Sequence, residues 1–306
     1  MITVVAFLEA SVRLGIPLAL AAMGETITER SGVINIGLEG SLIAGALGGA
    51  LGALAIGGAG GGILVGAFGG ALVAMIFAGF AVGLGTDQII TGTAVTLGGL
   101  GFTGAIYQAR FGTTGTALTL PTLSSVPIPL LSDIPIIGSA LFNQAPTTYF
   151  TYLLAPTLWY FVYRTEWGLE LRAVGEEPDA AAAAGVRVKQ TRFWATVFGG
   201  TLAGIAGAHL ALAHAGTFAE NMSAGRGFIA IAVVVLGRWN PPLVLLAALF
   251  FGAASALQFQ AQTLGLAVPY QLFLAFPYLL TLLALAGWVG KSRAPASLAL
   301  PWPKDS

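Results

Sequence analysis

Cysteine is absent from this chain of 306 residues, and charged side chains make up only 8% of it, against about 25% in a soluble domain. Without cysteine the protein has no disulfide, no iron–sulfur cluster and no thiolate metal site. The two histidines, His209 and His214, have no third ligand residue nearby in the sequence, so we interpret them as polar residues within a span and expect no metal. The net charge is zero, which predicts no nucleic-acid partner, and no pattern indicates a cofactor.

The chain is strongly apolar, with 56% hydrophobic residues and a mean hydropathy of +0.85. Apolar runs of about 18 or more residues are typical of transmembrane helices. Seven such runs lie at 2–23, 33–56, 60–83, 88–107, 193–215, 243–262 and 272–289, and two shorter ones at 149–163 and 227–236. The backbone in hydrocarbon must satisfy its own hydrogen bonds. We therefore expect an all-α fold, a polytopic bundle of about eight to ten transmembrane helices, as one domain covering residues 1–306. The first run lacks the basic flank of a signal peptide and is expected to be retained.

The basic residues predict an orientation, because Lys and Arg accumulate in cytoplasmic loops. With Arg30 placed inside and about nine crossings, ten of the thirteen basic residues lie on the cytoplasmic side, Arg110 and Arg226 lie outside, and Arg13 lies within the first span. This count requires the short run 227–236 to cross or nearly cross. The N-terminus is then outside and the C-terminus is cytoplasmic, in a cytoplasmic (inner) membrane. Residues 108–148 carry five prolines and are expected to form an irregular outer loop.

Glycine is abundant, with 43 residues, many of them at the small-xxx-small spacing that lets membrane helices approach closely. Gly45 and Gly49 are one such pair, and the run Gly58, Gly62, Gly66 and Gly70 continues the pattern. Two interpretations are open. Such helices can slide against one another during function, or the glycines serve plain helix packing.

The charge is concentrated in one place, since ten of the 26 charged residues fall within 164–192. We predict that 164–192 is a water-exposed cytoplasmic segment suited to a partner protein. Within it, Pro178 suits a first helical turn, and the neighbouring acids suit the positive end of a helix. Five alanines at 180–184 favour a short helix, which Gly185 ends. The alternative is a solvated loop helix with no partner.

Two further strings carry polar residues next to apolar runs. In the string 29–40, Asn35 and Glu39 are four residues apart and are predicted to share one helix face. A carboxylate within a membrane helix is costly, which makes Glu39 a functional candidate, although a structural bond to a neighbouring helix explains it equally well. In the string 221–230, Asn221, Ser223 and Arg226 are candidates for the mouth of a pathway; for Arg226 the alternative is an interfacial position beside phosphates.

The strings 29–40, 172–185, 221–230 and 236–241 together resemble the permease subunits of ABC importers. The resemblance covers nearly the whole chain and is specific to the simple-sugar and nucleoside branch, which is related to ribose and branched-chain amino-acid permeases. It implies that 172–185 is the coupling segment that docks in a cleft of a cytoplasmic ATP-binding subunit. Members of the family usually read Gly-Glu-Asn-Pro where this chain reads Gly-Glu-Glu-Pro at 175–178. The implied coupling residues are Arg172, Gly175, Glu176, Glu177, Pro178, Asp179, Ala182, Ala183 and Gly185.

The same resemblance implies a second permease subunit, often a related but different protein, and an extracytoplasmic substrate-binding lipoprotein. The scarcity of charge in the core favours a neutral, hydroxyl-rich solute, and the resemblance implies its ATP-driven import, with nucleosides favoured over simple sugars. The triplet 290–292 resembles the end of a P-loop, but Leu285 stands where its glycine is required, so we expect no ATPase activity and no enzyme. The alternative is an ion-coupled secondary transporter with a charge relay formed by Glu9, Arg13, Glu39 and Asp87.

Overall fold

The computed structural model describes residues 2–112, 118–263 and 294–302, together with residues 275 and 279. Within them the fold is a helical bundle, which confirms the predicted class. The helices are α1 Ile2–Arg30, α2 Leu38–Ile56, α3 Ala59–Ala78, α4 Gln88–Phe111, α5 Ile137–Phe142, α6 Pro146–Arg164, α7 Glu166–Glu176, α8 Pro178–Ala183, α9 Val188–His209, α10 Arg226–Leu236 and α11 Pro241–Thr263. Short π-helical segments, Gly79–Gly83 and Leu210–Ala215, continue α3 and α9. Two antiparallel strands, β1 Val126–Pro127 and β2 Asn143–Gln144, form a minimal sheet.

Six helices in the described part of the chain are long and apolar enough to cross a membrane. They correspond to six of the seven long runs predicted from the sequence, and the seventh, 272–289, lies outside the described residues apart from positions 275 and 279. The shorter run 149–163 forms α6, and the run 227–236 forms α10. Two helices are longer than the apolar runs that predicted them: α1 continues to Arg30 and α9 begins at Val188. The polar residues at these ends are part of the helices, although they lie outside the apolar runs.

The centre of the bundle is α1, which packs against α9, α10 and α11 and buries a continuous stretch from Gly15 to Glu29. On one flank, α2 packs against α3 and α9 through glycine. A Cβ atom at Gly45 would collide with the backbone of Gly204, and one at Gly207 would collide with the carbonyl oxygen of Leu42. The glycine spacing therefore brings helix backbones into direct contact. Whether these helices also slide during function stays a prediction.

The prediction that a helix begins at residue 33 is wrong. Gly32 has a φ of +90°, which an L side chain rarely adopts, and residues 33–35 are not helical. The helix α2 begins at Leu38. Asn35 consequently precedes the helix and does not share a helix face with Glu39. The chain reverses at Gly32 and runs back beside α1, where the backbone N–H of Asn35 donates to the Glu25 carboxylate at 2.7 Å.

Residues 216–225 form a second non-helical segment, which precedes the helix α10. The eleven residues of α10 span only about 16 Å, roughly half of a bilayer core. The first turn of α10 contacts Glu39, while Trp239, just past its end, contacts Glu29. The helix thus runs from the interior of the bundle to the end that carries Arg30, and Arg226 at its start lies within the bundle beside the first turn of α2.

The two ends of the bundle differ in character. The end formed by α7 and α8, called here the α8 end, collects basic residues: Arg30 donates to the Tyr163 hydroxyl at 2.9 Å, and Arg172 lies 5.4 Å from the centroid of the same ring. The opposite end carries residues 118–145, which include α5 and both strands. The backbone N–H of Leu120 donates to Gly216 at 3.1 Å there, so this segment packs on the end of α9. Helices α4 and α6 take up the two edges of the predicted loop 108–148.

Candidate functional site

The start and stop signals within the predicted coupling segment produce the expected helix. Pro178 occupies the first turn of α8, and Gly185, with a φ of +90°, follows its end. Pro178 and Ala181 are buried, and Ala181 packs with Val174 and Val188 in a small apolar cluster. The outward side of α8 carries only Asp179 and small alanine side chains, so it presents a low-relief surface at this end of the bundle.

The nine residues predicted for coupling divide into two groups. Arg172 and Gly175 hold α7 in place: the Arg172 guanidinium donates to the carbonyl oxygen of Val162 at 3.1 Å, and a Cβ at Gly175 would collide with the Arg30 carbonyl. Pro178 anchors α8, and Ala182 is half-buried. The remaining members are exposed, namely Glu176, Glu177, Asp179, Ala183 and Gly185.

The prediction that the whole segment 164–192 is water-exposed is wrong at its end. Arg192 is 2% exposed and lies in the second turn of α9. Its guanidinium donates to the Ser31 carbonyl at 3.1 Å and to the Leu300 carbonyl at 2.9 Å. Residues 294–302 therefore pack at this end of the bundle; the sequence predicted the C-terminus on the same side as 164–192 but did not indicate these contacts. The tail is short and has no periodic pattern, so nothing in the sequence indicates which residues it contacts.

Glu39 lies between two helix N-termini. It stands in the first turn of α2, and its carboxylate accepts hydrogen bonds from the backbone N–H groups of Gly225, at 2.8 Å, and Gly227, at 2.5 Å, at the start of α10. The N-terminus of a helix leaves N–H groups unpaired and carries partial positive charge, so it favours an anion. The side chain is 2% exposed. Gly227 is required here, because a Cβ would lie 2.6 Å from the Glu39 backbone nitrogen.

The structure brings three of the five predicted pathway residues together. Ser223 and Arg226 lie beside Glu39 at the start of α10, where the Arg226 guanidinium donates to the carbonyl oxygens of residues 222 and 223. Ser223 is fully buried, and within the described residues its hydroxyl has no hydrogen-bond partner. Asn35 is buried against α1, whereas Asn221 is exposed. A role of these residues in a pathway stays a prediction.

Two more carboxylates lie deep in α1. Glu25 accepts the Asn35 N–H, and Glu29 accepts the indole N–H of Trp239 at 2.5 Å. The guanidinium of Arg30, the last residue of α1, donates to the Trp239 carbonyl at 3.0 and 3.1 Å. These bonds hold the C-terminal end of α1 against the C-terminal end of α10. Neither Glu25 nor Glu29 was among the candidate residues predicted from the sequence. The available signal was an acidic pair four residues apart at the end of a long apolar run.

A polar cavity of about 270 Å³ lies at the opposite end of the bundle. Glu9, Arg13 and Gln144 line it, and so does His209, whose Nδ1 atom is 2.6 Å from the Thr147 hydroxyl. No group of three metal-ligating side chains occurs in the part of the chain that the structure describes. Asp87, the fourth member of the alternative charge relay, caps α4 through the N–H groups of residues 89 and 90 at 2.9 Å.

Comparison with known proteins gives consistent matches over most of the chain. The family described as "Branched-chain amino acid transport system / permease component" matches residues 7–285. The chain is 36% identical over 300 residues to a guanosine ABC transporter permease of Bacillus subtilis, covering 94% of this chain and 93% of the relative. A nucleoside ABC transporter permease of Lactococcus lactis is 34% identical over 288 residues, covering 91% and 90%. A protein of Haloferax volcanii with the provisional name of glucose ABC transporter permease is 36% identical over 264 residues, covering 85% and 79%. No solved structure matches.

Proposed function

We propose that this chain, which belongs to the family of branched-chain amino acid transport system permease components, imports nucleosides. It is the membrane-spanning permease subunit of an ABC importer, a multi-pass α-helical membrane protein whose relatives are ABC permease subunits. The energy for transport comes in this proposal from a separate cytoplasmic ATP-binding subunit. Simple sugars are the second candidate solutes, because a relative with a provisional glucose name matches over 85% of the chain.

The proposal of a neutral solute rests on the burial and hydrogen bonding of three carboxylates. Glu25, Glu29 and Glu39 lie deep in the bundle, are each at most 2% exposed, and each accept a hydrogen bond from the protein itself. A transported cation would need an opposing charge along its route, because an ion in a low-dielectric region is costly. These acids are enclosed by the protein. A neutral solute is therefore favoured over a cation.

Among neutral solutes, the comparisons favour nucleosides. The relatives named for guanosine and for nucleosides align over 94% and 91% of this chain, more than the relative with the provisional glucose name. Import is tested in vesicles that also contain the ATP-binding subunit, the second permease subunit and the substrate-binding lipoprotein, with labelled guanosine and labelled glucose as separate solutes. We expect ATP-dependent guanosine uptake that excess unlabelled nucleoside inhibits and excess glucose does not. Uptake of glucose with no uptake of guanosine would contradict the nucleoside assignment.

The outward side of α8 is the proposed docking surface for the ATP-binding subunit. Its support is the exposure of Asp179 and Ala183 on a helix whose other side is anchored by Pro178 and Ala181. Small side chains allow a groove on the partner to close around the helix. The charged residues of the segment then lie at the rim of the contact, where they influence the association rate more than the affinity.

A second permease subunit and an extracytoplasmic lipoprotein complete the proposed complex. Support for a membrane partner comes from α4, which is apolar but largely unburied, with Leu97 65% and Phe102 70% exposed. Lipid and the second permease would share this surface. The gathering of Arg30, Arg164 and Arg172 at the α8 end supports a cytoplasmic position for that end, and hence the proposed outside N-terminus and cytoplasmic C-terminus.

A further inference from the structure

Residues 294–302, called here the C-terminal strap, connect two parts of the α8 end that are distant in sequence. The backbone N–H of Ser297 donates to the carbonyl oxygen of Gly175 at 2.9 Å, and the Ser297 hydroxyl lies 2.7 Å from the same oxygen. Two residues later, the N–H of Ala299 donates to the Gly32 carbonyl at 3.1 Å. Gly175 belongs to the coupling segment, whereas Gly32 begins the non-helical segment that leads to α2 and Glu39.

Arg192 attaches the strap to α9. Its side chain is 2% exposed, and a buried guanidinium is costly unless its N–H groups are bonded. One bond goes to the Ser31 carbonyl, and the other two go to the strap, at the Leu300 carbonyl and at the Ser297 hydroxyl, the last at 3.0 Å. The guanidinium therefore links the start of α9, the turn after α1 and the strap at a single buried point.

The end of the strap reaches α8 directly. The indole N–H of Trp302 donates to the Asp179 carboxylate at 2.7 Å, and the ring packs against the apolar cluster that anchors Ala181. Ala182 lies in the same contact. The helix α8 has only six residues, of which Pro178 and Ala181 are buried, and Trp302 adds one hydrogen bond and one packing contact to it.

We propose that the C-terminal strap is a positioning element that transmits movement of α8 to the segment before α2. Displacement of α8 by the ATP-binding subunit would pull on Asp179 and Gly175, and the strap would carry that displacement to Gly32. The segment 31–37 would then move the first turn of α2, where Glu39 joins the start of α10. Ser297, Trp302 and Arg192 are positioning residues in this scheme. The inference rests on the proposed function of α8.

The test uses the full-length chain reconstituted with its ATP-binding subunit, the second permease subunit and the substrate-binding lipoprotein. Ser297→Ala removes the hydroxyl bonds to Gly175 and Arg192, and Trp302→Ala removes the contact with α8. The matched control is Ser255→Ala in α11, where the hydroxyl donates to the Phe251 carbonyl of the same helix at 3.0 Å. Three quantities are measured for each variant: the amount of ATP-binding subunit that co-purifies, the rate of ATP hydrolysis, and guanosine uptake.

We expect co-purification and ATP hydrolysis to stay close to wild type, while uptake per ATP falls about fivefold to tenfold, the equivalent of one net hydrogen bond. Ser297→Thr, which keeps the hydroxyl, should restore coupling. Wild-type uptake per ATP in both the Ser297→Ala and Trp302→Ala proteins would overturn the proposal. A loss of uptake that follows lost co-purification would also overturn it, because the strap would then be docking surface. Failure of the proposed function is distinct: the wild-type complex itself would show no ATP-dependent uptake.

Discussion

Replacing Glu39 with glutamine is expected to loosen the start of α10 and slow transport while the protein remains in the membrane. The carboxylate has both oxygens engaged, one by the Gly225 N–H and one by the Gly227 N–H, and it lies between the N-termini of α2 and α10. Glutamine has nearly the same size, so packing is preserved. The substitution changes charge and hydrogen bonding only.

The expected magnitude follows from the two hydrogen bonds. A glutamine amide keeps one acceptor oxygen but turns an NH₂ group, which is a donor, toward the other backbone N–H. Leaving one buried N–H unpaired costs about 1–3 kcal/mol. Loss of the negative charge removes about 0.3–1 kcal/mol at each helix N-terminus. Relief from burying an ionised group works in the opposite direction. Because both oxygens of Glu39 are bonded, we expect the losses to prevail, with a net destabilisation of about 1–3 kcal/mol.

The assay combines thermal unfolding of the purified permease in detergent with uptake kinetics of the assembled transporter. For a chain of this size, a loss of about 1–3 kcal/mol lowers Tm by roughly 2–10 °C. We expect the maximal uptake rate to fall and the KM for solute to stay the same, because Glu39 bonds to the protein. Glu39→Asp should behave like glutamine, since the shorter carboxylate cannot reach both N–H groups.

The opposite pattern would refute this reasoning. If Glu39 contacts the solute, the Gln variant would keep a wild-type Tm and show a raised KM. An unchanged Tm together with unchanged uptake would remove Glu39 from both roles. Membrane extraction and western quantification are the controls, because the comparison is meaningful only when both proteins are inserted to the same level.

Three other substitutions test separate parts of the structure. Ala183→Arg on the exposed side of α8 should weaken co-purification of the ATP-binding subunit about fivefold or more, since overpacking a fitted contact costs about 1–3 kcal/mol, while Asn143→Arg at the opposite end should not. Gly207→Ala should lower Tm because its methyl group would collide with a backbone carbonyl of α2, whereas Gly98→Ala, with open space around it, should leave Tm unchanged. Asp87→Ala should cost about 1 kcal/mol through the lost cap of α4 and leave ATP-driven uptake intact under an uncoupler; loss of uptake would favour the charge relay.

The deepest error in the sequence interpretation concerns residues 33–37. Their apolar composition continues into α2, so hydropathy predicts a single helix from residue 33. Hydropathy indicates that a segment is buried away from water, but it does not indicate whether its backbone is helical. The positive φ at Gly32 and the bond from the Asn35 N–H to Glu25 decide the local path. The second of these depends on a partner ten residues away on another element.

Composition and local signals were sufficient for the class of fold. Scarce charge and long apolar runs predict segments that lie in the membrane. Because no water is available there, the backbone must form its hydrogen bonds within each segment, and this favours α-helices. The short helix α8 was also predictable, because Pro178 and Gly185 act through their own backbone angles, which need no distant partner. Both inferences use interactions between residues that are close in sequence.

The partners of the deep polar residues were decided by the tertiary structure alone. Glu39 bonds to Gly225 and Gly227 across 186 and 188 residues, and Arg192 bonds to Ser297 across 105. In the sequence a buried carboxylate and a pathway carboxylate look the same, because both are single acids in an apolar setting. They differ only in whether folding brings N–H donors to their oxygens. The close approach of helix backbones through glycine is what brings those donors within hydrogen-bond distance of Glu39.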